Sequence, residues 1–156
     1  MEKKIKKFYN KSYYRKLNND YGKSFKAHDY DLFLNLAKKN GWKINIAIFE
    51  SPGALKYYAS MDGTYPASEE ISRLKGKTSA GLPFSTKELA QMAFNNDDKN
   101  EGIATIPDIA LLPGGVPIIL KNGYHLGGVG VSGSSGTNDE KCAFRAIEKG
   151  LEAIYE

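Results

Sequence analysis

Two histidines, His28 and His125, are the chain's only imidazoles, and Cys142 is its only thiol. A multi-histidine metal site, a cysteine-built zinc or iron–sulfur centre and an intrachain disulfide are thereby excluded, and a Ser-His-Asp triad has little to draw on. His28, at a helix start, reads as a surface imidazole, whereas His125, just past a turn, keeps two readings: a hairpin-end imidazole in contact with solvent, or an axial ligand to a heme iron or a general base. Arg73 and Lys77 are one helical turn apart and could hold a carboxylate or propionate, although such a pair is more often a wetted helix face. Asp62 precedes Gly63 and could cap a turn. The loop Ser132-Gly-Ser-Ser-Gly136 runs into a helix start, where free N–H groups favour anions, but neither phosphate-loop glycine spacing is present. Grouped, Asp62, Lys77 and the 132–136 loop would form a pocket for acid–base work on a small molecule, of isomerase or hydrolase type. No nucleophile–base pair with diagnostic spacing occurs, so the residues alone do not make the chain an enzyme.

The elements that must position these residues are organised around Leu112–Gly136. Val116–Lys121 and Tyr124–Ser132 are apolar runs separated by Asn122-Gly123, the strongest short-range hairpin signal. A two-residue loop would pair Lys121 with Tyr124, Leu120 with His125 and Ile118 with Gly127. One face would then carry Val116, Ile118, Leu120, His125, Val129 and Val131, and the other Ile119, Leu126, Gly128 and Gly130. Glycines inside a strand imply a close backbone approach, by a packed helix first, or by a partner subunit or a flat ligand.

Upstream, a helix is expected from His28-Asp29 to Gly41, with Leu32, Phe33, Leu36 and Ala37 inward. Trp42–Glu50 and Ala54–Met61 read as two strands joined by Ser51-Pro52-Gly53. A helix over about Ser68–Ala80 should bury Ile71, Leu74 and Thr78. The next helix carries a capping box, Ser85 with Glu88, and a staple between Phe84 and Leu89. Ile103–Leu111, interrupted by Pro107, reads as an edge strand. A second capping box at Thr137-x-x-Glu140 opens the last helix, whose stripe is Ala143, Ala146, Ile147, Gly150, Leu151 and Ile154. This order predicts an α+β fold, an antiparallel sheet of about five strands with helices packed on it in a profilin-like layout.

A chain of 156 residues forms one domain with a real core. No apolar run is long enough for a membrane helix, and no secretory signal follows Met1, so the chain as given reads as cytoplasmic or as an exported protein with its signal removed. Residues 1–26 hold nine Lys and Arg against Glu2 and Asp20, whereas 27–156 hold 13 against 16 acids. We therefore separate a basic N-terminal arm, 1–26, from an α+β domain, 27–156. The arm could meet nucleic acid or an anionic membrane, but without a nucleic-acid motif a packed extension is the plainer reading.

The segments I-N-I-A-I-F-E, M-D-G-T, S-E-E-I-S-R-L-K-G-K-T-S-A, P-G-G-V-P-I and G-G-V-G-V-S-G-S with a following Asp together resemble the GlcG/HbpS (DUF336) family over about 28–154. Gly114, Gly115, Pro117, Gly130, Ser132, Gly133 and Asp139 match its signature, Asp62 and Gly63 its M-D-G turn, and Lys77 the lysine of the next helix. The chain departs from the pattern in its basic arm and in Ser134, where a second glycine is common. The resemblance implies a profilin-like α+β fold, homo-oligomers from dimer to octamer, and a heme-binding protein related to the PduO C-terminal domain, in heme, iron or redox handling. It implies ligand contacts at the matched residues, but it does not nominate His28 or His125 as the axial ligand.

Overall fold

The computed structural model describes residues 34–51, 53–95 and 97–155. His28, the basic arm and the first part of the first expected helix lie outside the described residues. The helical stretch 34–39 ends at Gly41, whose φ of +69° favours glycine, and the Trp42 N–H reaches back to the Ala37 carbonyl at 2.9 Å.

Strands β1 (Asn45–Glu50), β2 (Leu55–Ser60), β3 (Gly115–Ile119) and β4 (His125–Ser132) form one antiparallel sheet in the order β2-β1-β4-β3. The helices are α1 (Ser68–Gly81), α2 (Thr86–Phe94) and α3 (Gly136–Tyr155). Among the described residues the sheet thus has four strands where about five were expected. Ile103–Leu111 instead starts inside a 3₁₀ helix, Glu101–Thr105, which begins with the Asn100 side chain accepting from the Gly102 N–H, and continues as a turn and irregular backbone. Pro107 cannot donate to a ladder and Asp108 sits at φ +57°, so the stretch cannot run as a strand.

Central β1 is buried on both sides. One face of the sheet joins Ile46, Ile48, Val129 and Val131 to Ala143, Ala146 and Ile147 of α3, which belong to the stripe read from periodicity, and to Cys142 beside them. The other face is covered by α1. A Cβ on Gly130 would run into the Ser72 carbonyl and the Gly76 backbone, and one on Gly128 into the backbone at Ser79 and Ala80. The close approach implied by the strand glycines is therefore a packed helix, and no flat ligand can lie on that face. The inner residues of α1 are Ser72, Lys75, Gly76, Ser79 and Ala80 as well as Thr78, while Ile71 and Leu74 are only half-buried. Where α1 crosses the bare glycines only small side chains fit, while Lys75 reaches the strand end at Val131 and Asp139, and the apolar pair expected there is displaced.

The hairpin differs at its tip. The Gly123 N–H donates to the Leu120 carbonyl at 2.8 Å and the Leu120 N–H to the Tyr124 carbonyl at 2.9 Å, closing a three-residue loop. Of Asn122 and Gly123 only the glycine has positive φ, +81°, so this is not the expected type I′ turn. From Ile118 inward the register is the expected one, Ile118 with Gly127 and Val116 with Val129, because a bulge at Leu126 absorbs the shift. The bulge also puts His125 opposite Ile119, and its ring lies on the α1 side rather than beside Val129 and Val131.

Candidate functional site

Strand β4 ends at Ser132, Gly133 turns the chain at φ +142°, and α3 begins at Gly136, which brings Asp139 back over the strand end. One Asp139 oxygen accepts from the Ser134 N–H at 3.0 Å, and the other lies 3.2 Å from Lys75 Nζ. Lys75 comes from α1 and also donates to the Val131 carbonyl at 2.9 Å. Both side chains of this pair are only 3% exposed. Burial lowers the lysine's pKa against the opposing pull of Asp139, and burial raises the Asp139 carboxyl against Lys75 and the Ser134 and Gly133 amides. Gly114, at φ +123°, crosses directly above, where a Cβ would stand 2.8 Å from Lys75 Nζ and 2.9 Å from Asp139 Cβ.

Of the residues nominated from the sequence, the fold gathers Gly114, Gly133 and Asp139 around a lysine that was not nominated. Lys75 is two positions from Lys77 and on the opposite side of the helix. Its burial follows from facing the sheet, which no local signal reports. Lys77 is 55% exposed and stands 3.9 Å from Asp108. Arg73 pairs with Glu69 at 3.2 Å and stacks 4.6 Å above the Tyr58 ring, so it does not form a clamp with Lys77. Asp62 is exposed in its turn beside Gly63, at φ +78°. The acid–base pocket drawn from Asp62, Lys77 and the 132–136 loop is therefore not assembled.

The remaining signature residues hold backbone. The Gly115 N–H donates to Thr86 Oγ1 at 3.0 Å, and that hydroxyl donates to the Leu112 carbonyl. Pro117 lies on the edge strand, where a missing N–H breaks no ladder. Gly130 underlies α1, and Ser132 is buried at the strand end.

The helix start expected to favour anions is filled from within. Asp139 caps Ser134, and Ser135 Oγ accepts from the Asn138 N–H at 3.2 Å. The expected Thr137–Glu140 box is not the cap; Glu140 pairs with Lys87 at 3.2 Å instead. The Ser85–Glu88 box is present in both directions.

His125 Nε2 lies 2.8 Å from the Ser79 carbonyl near the end of α1. A carbonyl only accepts, so Nε2 carries the proton and is spent on that bond. Among the described residues no three His, Cys, Asp or Glu converge on a metal position. Open surface lies elsewhere, at the β3 edge, where two shallow clefts of about 350 Å³ each adjoin, one lying along α3 and the other between β3, α2 and α3. Phe144 and Glu148 line both.

A family model described as "Haem degrading protein HbpS-like" matches residues 30–148. The chain belongs to the HbpS-like family. It is 35% identical to protein GlcG of Escherichia coli K12 over 96 residues, 62% of this chain and 69% of GlcG. The fold is similar to that of a double mutant of HbpS from Streptomyces reticuli, with a TM-score of 0.68, 26% identity and 84% of each chain covered. PduOC, solved as a heme complex, aligns with a TM-score of 0.66 and 20% identity over 78% of this chain and 91% of that one. In this HbpS-like chain the glycine-rich signature does structural work: it seats α1 on β4 and encloses the Lys75–Asp139 pair.

Proposed function

We propose that this HbpS-like chain is a heme-binding protein that assembles as a homo-oligomer and acts in heme, iron or redox handling. The observation that carries the reading is the family match across 30–148, to which the likeness to a protein crystallised with heme adds support. The surface fits a flat, mostly apolar group: the clefts at the β3 edge expose Phe144 and Ile119 beside Pro117. Heme would supply redox and oxygen chemistry when bound; the protein's part is to seat it and shield its faces.

The test is a titration of the purified full chain with hemin, read by the Soret band. A saturable shift at micromolar protein is expected, and its absence would count decisively against heme. The same titration on His125→Ala and His28→Ala decides axial ligation. With Nε2–H donated to the Ser79 carbonyl, Nδ1 is the His125 nitrogen left to ligate, and a changed spectrum in either variant assigns that histidine.

A further inference from the structure

The β3-edge surface combines features that point to one kind of occupant. Its floor is apolar, with Val116, Pro117, Ile119 and Ile147 along one cleft and Phe144, 52% exposed, at the junction with the other. Each cleft falls in the range of small-molecule sites, about 300–1,000 Å³. Together they offer a broad, shallow seat rather than a deep hole.

Charge decides what the occupant carries. Three acids line the surface, but two are already engaged. Glu88 accepts from the Ser85 N–H at 2.7 Å within its capping box, and Glu140 is neutralised by Lys87 at 3.2 Å. On the rim, Lys141 and Arg145 stand one turn apart on exposed α3, and among the described residues neither has a carboxylate within ion-pair distance. Two such cations beside an exposed aromatic ring suit a flat apolar molecule with carboxylates at one edge.

Resting on the heme reading above, we propose that this surface is the heme seat, with the porphyrin over Phe144 and its propionates toward Lys141 and Arg145. Among the described residues the lining holds no nitrogen or sulfur ligand apart from the two cations; its other donors are oxygens of Thr137, Glu140, Glu148 and Glu88.

The experiment compares hemin affinity of the full chain with Phe144→Ala, with the double variant Lys141→Glu/Arg145→Glu, and with Phe94→Ala, an exposed aromatic at the end of α2 outside both clefts. Because Phe144, Lys141 and Arg145 are exposed, unchanged thermal melting is expected for each variant, and Lys141→Gln/Arg145→Gln replaces the charge reversal if it does not fold. Phe144→Ala and the double variant should each weaken hemin about tenfold, and Phe94→Ala should match the parent. In a second measurement, by porphyrin fluorescence anisotropy, the parent should prefer protoporphyrin IX to its dimethyl ester, and the double variant should lose that preference. Parent-like affinity in both cleft variants would overturn the seat and leave heme binding standing. A parent chain that produces no Soret shift would overturn both.

Discussion

Lys75 and Asp139 form an ion pair almost without water, and its energetics are open to measurement. Removing water from two charges opposes their attraction, and burial is the largest influence on both pKa values. Lys75→Met leaves a buried carboxylate facing no cation and should destabilise the fold by about 3–5 kcal/mol. Lys75→Met/Asp139→Asn, which keeps an acceptor for the Ser134 N–H, should recover most of that loss. Urea denaturation of the two variants and the parent checks this; parent-like stability in Lys75→Met would refute it. The pH dependence has a definite sign. Asp139 titrates above 3.8 in the fold, so its contribution is complete below 3.8 and is lost as pH rises through the folded value. Lys75 titrates below 10.5 in the fold, so its contribution is complete above 10.5 and is lost as pH falls through the folded value. Relative to the double variant, the parent should thus lose stability from acid to neutral pH and regain it toward alkaline pH.

At the scale of elements, the contact between α1 and β4 carries the architecture. Gly130 and Gly76 meet backbone to backbone; a Cβ on Gly76 would stand 2.8 Å from the Ala47 carbonyl oxygen. Gly130→Ala or Gly76→Ala must push helix from sheet and should each cost about 1–3 kcal/mol. Gly81→Ala, at the end of the same helix, meets nothing within 4 Å and should be close to neutral. Thermal melting of the three variants separates them, and equal melting points would disprove the close contact. Helix bounds were well marked in the sequence: Ser68 for α1 and the Ser85–Glu88 box for α2 coincide with the observed starts. The buried face of α1 was not, because an apolar periodicity presumes a partner surface with side chains, and β4 presents glycines.

For the whole molecule, exposed apolar residues bear on assembly. Phe94, Ile106 and Leu112 are each at least half exposed. Such surface favours burial against another subunit, and closed homo-oligomers are the usual outcome. Light scattering of the full chain should return a multiple of 17.2 kDa. A mass of one chain would refute assembly.

By itself the sequence determined the features that arise from short-range chemistry. Asn122-Gly123 between β-branched runs meant a hairpin, Ser85 with Glu88 meant a helix start, and the Ala143–Ala146–Ile147 stripe meant a helix buried on one side. The signature spread from the M-D-G turn to Asp139 was enough to place the family. Only the tertiary structure decided which way side chains face once the backbone departs from ideal periodicity. One bulged residue, Leu126, carries His125 across the sheet to Ser79. Lys75 rather than Lys77 became the buried lysine because α1 presses its small-residue side onto glycines, and a position two residues away on a helix points outward. Pairing partners such as Asp139, 64 residues from Lys75, are set by how the sheet and helices stack, which no local pattern encodes.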